Sequence, residues 1–102
     1  MNLLRSYLNP LELKENRERI AHLLRNRGFY IRLHAYDYLV MAHGKIVCTI
    51  HLLSHLNECY INISPIVENS EHYVNKIVKV IKSIAPTVKV YLRKSMEYSR
   101  EL

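Results

Sequence analysis

A chain of 102 residues with ten Ile and fourteen Leu is sized for one domain around one hydrophobic core. Its two cysteines are too few for a secreted disulfide framework, and no apolar run approaches the ~20 residues of a spanning helix. The formal charge of +6 favours acidic partners such as nucleic acid or acidic peptides; it is divided between the halves rather than gathered in a tail, so it belongs to a folded surface.

In chain order, Leu3 to Leu8 reads as a strand that Asn9-Pro10 breaks. Leu13 to Arg27 reads as a helix with Leu13, Ile20, Ala21, Leu23 and Leu24 inward. Its stretch from Lys14 to Arg19 reads as solvated, with Glu15 and Arg19 spaced for an i,i+4 ion pair. Gly28 stands where a helix usually stops. Phe29 to Ala35 alternates cleanly, with Phe29, Ile31, Leu33 and Ala35 on one side and Tyr30, Arg32 and His34 on the other, as a half-buried strand does. Tyr36 to Ala42 and Lys45 to Leu52 form a hairpin about His43-Gly44, where Gly44 supplies a positive φ. Residues 51–57 fit either a strand end or a short helical turn. Cys59 to Ile63 alternates again before Ser64-Pro65. Ser70 is a candidate N-cap for a helix with Tyr73, Val74, Ile77, Val78, Ile81 and Ile84 at helical spacing, and Pro86 ends it. Thr87 to Leu92 is a last strand; the segment after Ser95 is polar.

The order strand, Asn-Pro, helix, strand in the first half is matched by strand, Ser-Pro, helix, strand in the second. The expected architecture is therefore a single α+β domain over residues 1–102 with two βαβ-like repeats, residues 1–42 and 59–102. They would pack as a split βαβ, ferredoxin-like arrangement with a mainly antiparallel sheet and both helices on one face. Residues 43–58 would supply a hairpin strand and a connection, the hairpin being an insertion or joining the sheet.

The polar side of the four repeat strands carries the main functional pattern. Each presents a tyrosine, usually with a base: Arg5 and Tyr7; Tyr30, Arg32 and His34; Tyr60 with Asn62; Lys89, Tyr91 and Arg93. If the apolar sides face the helices, these residues share the other face. Tyr7, Tyr30, Arg32, His34, Tyr60, Tyr91 and Arg93 are thus the candidate partner-binding set. Tyr and Arg dominate protein-binding hot spots, and an aromatic, basic sheet face is also how some modules stack single-stranded RNA or DNA. Tyr equally suits strands for packing alone. No stretch matches the RNP1 pattern of the RNA-recognition fold. Lys76, Lys79 and Lys82 on the second helix, and Arg17, Arg25 and Arg27 on the first, form stripes that read first as solvated helix faces.

Cys48, His51, His55 and Cys59 superficially resemble a zinc site. In a helix the two cysteines would be ~16 Å apart, and in a strand Cys48 and His51 point to opposite faces, so no metal is expected. Asp37 is the single Asp. There is no Gly-rich phosphate loop, nucleophile elbow or helical His pair. The expectation is a non-catalytic chain with no cofactor. It would bind a peptide or protein in a groove between the repeats or at a sheet edge, with self-association possible and nucleic acid as the alternative partner.

The whole chain resembles the small orphan proteins of filamentous viruses that infect hyperthermophilic, acid-loving archaea. The resemblance rests on length and on the run of the sequence, such as Asn9-Pro10-Leu11-Glu12-Leu13 and Tyr36-Asp37-Tyr38-Leu39-Val40. It implies a viral protein in a hot archaeal cytosol, binding a viral or host partner, and it transfers no functional residues. The absence of Gln and the scarcity of Gly fit heat adaptation, although eight Asn do not. Residues 1–7 lack the apolar stretch and cleavage site of a signal peptide, so a cytoplasmic location is expected.

Overall fold

The computed structural model describes residues 9–94 and the backbone of residues 100–101. The strand expected over Leu3 to Leu8 lies outside the described residues, as does Tyr7. After a short 3-10 turn at Pro10–Glu12, helix α1 spans Lys14–Asn26. Strands β1 (Tyr30–His34), β2 (Asp37–Ala42), β3 (Lys45–Leu53) and β4 (Glu58–Ile63) follow, with a second 3-10 turn at Ser54–Leu56 between β3 and β4. Helix α2 spans Ser70–Ile84, β5 spans Lys89–Lys94, and a two-residue β6 covers Arg100–Glu101. No described helix is long and apolar enough to cross a membrane.

The strands form one sheet in the order β1-β2-β3-β4-β5-β6, antiparallel throughout except for the parallel pair β4–β5. The fold is therefore α+β with a mixed, mostly antiparallel sheet. One feature departs from the expected arrangement. A split βαβ unit holds another strand between its parallel strands, whereas β4 and β5 are hydrogen-bonded directly to each other. The hairpin joins the sheet: β2 and β3 lie between β1 and β4, with Tyr38, Val40, Cys48, Ile50 and Leu52 buried.

Local chemistry explains the element ends. Gly28, at φ +93°, closes α1. Its N–H donates to Arg25 O, and the Phe29 N–H donates to Leu24 O, the bonding pattern of a Schellman cap with Leu24 and Phe29 both buried across it. The β2–β3 turn has positive φ at both His43 and Gly44, as the tight hairpin turn that follows sheet twist requires. Ser70 does not cap α2; it is the first helical residue, and Asn69 precedes it in the left-handed region without a side-chain cap bond. On β3, Val47 has no partner in the register, so a bulge faces Val40. Strict alternation would send Val47 outward. The bulge lets Val47 and Cys48 both turn to the core and moves Ile46 to the exposed side.

Both helices cover one face of the sheet. Ile20, Ala21 and Leu24 of α1 and Val74, Ile77, Val80 and Ile81 of α2 share a single core cluster with inward residues of β1 to β5. The helices also contact each other, and Phe29 meets Tyr73 edge-on at 5.9 Å. Tyr38 is the largest fully buried side chain, and its hydroxyl donates to the carbonyl oxygen of Arg17 at 2.8 Å.

Tyr38→Phe removes this buried bond while keeping the ring, so it should lower stability by about 1 kcal/mol in urea melts. A change near zero would show that the bond contributes nothing net. Cys48 and Cys59, free and buried on the core face, are a second probe. Burial pushes both thiols from 9.0 up to about 12, with Cys59 adding to the effect at Cys48. The unfolded chain loses these protons first, so stability should fall between pH 9.0 and about 12. The decline is up to about 1.4 kcal/mol per thiol per pH unit, to be read by comparing urea melts at about pH 8 and about pH 10. Cys48→Ala/Cys59→Ala should flatten it.

Candidate functional site

The face of the sheet turned away from the helices is built from three rows of register partners. One row runs His34, Asp37, His51, Tyr60, Tyr91, and the next runs Arg32, Leu39, Thr49, Asn62, Arg93. A shorter row joins Tyr30, Met41 and Ile46 at the end near the β2–β3 turn. Adjacent strands lie ~4.8 Å apart, so each long row reaches ~19 Å across the face. All of these side chains are exposed or half-exposed, with Tyr30 at 58%.

Six of the seven residues expected at a partner site therefore stand on one common surface: Tyr30, Arg32 and His34 on β1, Tyr60 on β4, and Tyr91 and Arg93 on β5. They fall into two groups separated by the outward residues of β2 and β3. In the second group the Tyr60 and Tyr91 rings stack, with centroids 5.0 Å apart and planes 16° from parallel, and the Arg93 guanidinium lies 4.5 Å from the Tyr60 centroid. Tyr60 donates its hydroxyl to Glu58 Oε1 at 3.3 Å. Desolvation, and then the Glu58 carboxylate, raise the Tyr60 pKa, with Arg93 opposing them.

Between the two groups, the Asp37 carboxylate pairs with Nδ1 of His51, and Asn62 Nδ2 reaches Thr49 Oγ1 at 3.4 Å. The Asp37–His51 pair escaped the sequence reading because its members stand fourteen positions apart across a hairpin; only the register of β2 on β3 brings them together. Cys48 and Cys59 point into the core, while His51 and His55 are exposed. Among the described residues, no three His, Cys, Asp or Glu side chains converge as a metal site would need.

Two arginines of α1 reach the outer side of β1 and the turn that follows it. Arg25 donates from Nη2 to Ile31 O of β1 at 2.9 Å, and Arg17 donates from Nε to Ala35 O in the β1–β2 turn at 3.2 Å. Eight residues of helix rise ~12 Å and four extended residues ~13 Å, so two arginines on one helix face meet one strand carbonyl and one turn carbonyl. Arg17 is not solvated, as its charged neighbours implied, but only 8% exposed. Its Nη1 also donates to Leu11 O at 2.9 Å and Glu12 O at 2.8 Å, and its guanidinium sits 4.1 Å from the Tyr36 centroid. The signal was present in the sequence, since position 17 falls on the same helical stripe as Leu13, Ile20, Ala21 and Leu24. The ion pair of α1 is Lys14–Glu18 at 3.8 Å; among the described residues Glu15 and Arg19 do not form one.

Arg17→Met should cost about 2–4 kcal/mol in urea melts, because it strips donors from three backbone carbonyls at once. Arg25→Met, which uncovers one carbonyl at an exposed position, should cost under about 1 kcal/mol. Equal losses would contradict the assignment of Arg17 as the buried anchor. No protein-family model, curated protein or solved structure matches the chain.

Proposed function

We propose that this chain is a non-catalytic protein–protein interaction module whose docking surface is the open face of the sheet. The observation that carries the reading is the pre-ordered Tyr60–Tyr91–Arg93 group, with Tyr30 standing exposed across the same face. Tyr and Arg bury large area at modest entropic cost, and rings already held by neighbours lose little freedom on binding. The surface carries Arg32, Lys89 and Arg93 against Asp37 and Glu58. Both carboxylates are engaged within the face, by His51 and Tyr60. A folded partner offering acidic groups beside apolar ones complements that pattern.

The face is favoured over the other two expected locations. On the helix side α1 and α2 contact each other over the shared core, and at the β1 edge Arg25 already engages the Ile31 carbonyl. The reading keeps the two-repeat plan, with β4–α2–β5 as the second βαβ unit. With the resemblance to archaeal viral orphan proteins, the partner would be a viral or host protein in the host cytoplasm. Single-stranded nucleic acid stacked on the same face is less well supported, because Tyr91 and Arg93 already lie against the Tyr60 ring.

Peptide-array probing of the folded chain, followed by titration calorimetry of the tightest binders, tests the proposal. Tyr30→Ala and Tyr60→Ala should each weaken binding at least about tenfold, or about 1.4 kcal/mol. Lys79→Ala, on the outer side of α2, should leave it unchanged. Binders indifferent to both tyrosines would sink the reading, and concentration-dependent self-association lost in Tyr30→Ala would identify a second copy as the partner.

A further inference from the structure

Among the described residues, a depression of about 650 Å³ lies between α1 and the edge of β1, away from the sheet face. Its charged lining is one-sided: Lys14, Arg17, Arg19 and Arg25, with His22, against Glu18 alone. Three net positive charges, half of the chain's formal +6, are thus gathered in one groove. Glu18 is already engaged by Lys14 at 3.8 Å. Among the described residues, Arg17, Arg19 and Arg25 have no carboxylate within ion-pair distance.

The groove is also built rather than incidental. Arg17, 8% exposed, is held by three carbonyl oxygens and by the Tyr36 ring. Arg25 is fixed by one bond from Nη2 to Ile31 O, which leaves its remaining N–H donors for a ligand. From Lys14 to Arg25 the positive stripe runs ~16 Å along the helix. The wholly apolar residues of the lining are Ala21, Ala35 and a half-buried Leu33, and the rest of it is His22 and charged side chains with their aliphatic stems, with no Phe, Tyr or Trp among them. A ligand held by charge along its length, without an anchor, is what this lining suits.

We propose that the α1–β1 groove binds the sugar–phosphate backbone of a nucleic acid strand without reading its bases. This site is independent of the sheet face and of any protein docked there. Binding rests on Lys14, Arg19 and Arg25 meeting successive phosphates while Arg17 contributes a buried positive field. Neutralising three phosphates gives a slope of log affinity against log salt of about −2 for a single strand and about −3 for a duplex.

Fluorescence anisotropy with labelled DNA and RNA oligonucleotides, single-stranded and duplex, tests this across a salt series. For single strands, affinity should fall about 20-fold between about 50 and 200 mM salt. Lys14→Glu/Arg19→Glu, both exposed positions, should weaken binding at least about tenfold. Lys76→Glu/Lys79→Glu, on α2, makes the same change in net charge elsewhere and should cost less than about threefold. Arg25→Gln should reduce the slope by about one, and thermal melts verify that each variant is folded. Absence of binding at the lowest salt would overturn the proposal, as would equal losses in the two double variants. So would loss of binding in Tyr30→Ala, which would move the site to the sheet face, or poly-glutamate competing as well as an oligonucleotide of equal charge.

Discussion

A strand must send alternate side chains to opposite sides, and this constraint organises the whole molecule. Five strands in register place Ile31, Tyr38, Val40, Cys48, Ile50, Cys59, Ile61, Val90 and Leu92 under the two helices. The same alternation obliges Tyr30, Arg32, His34, His51, Tyr60, Tyr91 and Arg93 to share the other side. The core and the proposed docking surface are therefore two outcomes of one pattern, and neither can be changed by a shift of one residue without exchanging them. The bulge at Val47 makes the single local correction that lets β3 join this scheme.

Helix α1 has a second task besides covering the sheet. A terminal strand exposes a row of backbone groups that can recruit another chain. Among the described residues it is guanidinium groups that reach this edge, so charge is concentrated where the edge would otherwise be sticky. Protection of the edge and a positive groove are consequently the same structural device. Its buried member, Arg17, also orients the Ala35-Tyr36 turn through its bond to Ala35 and its contact with the Tyr36 ring. The carbonyl of the same residue receives the hydroxyl of Tyr38, so α1, the turn and β2 are tied at one point.

Much of this was legible in the residues alone. The period-two runs over residues 30–34 and from Cys59 to Ile63, the His43-Gly44 turn, the stop at Gly28 and the break at Pro86 all correspond to observed elements, because each depends on local sterics or alternation; Ala35, expected inward on β1, is instead an exposed turn residue at φ +54°. What could not be read was long range. Nothing in the spacing of Tyr60 and Tyr91 says that their strands lie side by side and parallel, nor that Asp37 meets His51. The position of Arg17 could have been inferred from its place on the apolar stripe. It was obscured by Lys14, Glu15, Glu18 and Arg19 around it, which are exposed.

The one parallel pairing has a bearing on the order of assembly. Strands β1 to β4 follow one another as sheet neighbours, with two residues joining β1 to β2 and two joining β2 to β3, so little chain entropy is lost in closing them. Joining β5 to β4 requires the whole of α2 to be threaded between, a far longer closure. Loop entropy thus places β5 late, after the meander has formed a template. The stacked rings of Tyr60 and Tyr91 straddle that last seam, so the aromatic centre of the proposed docking surface comes into being only when the fold is complete.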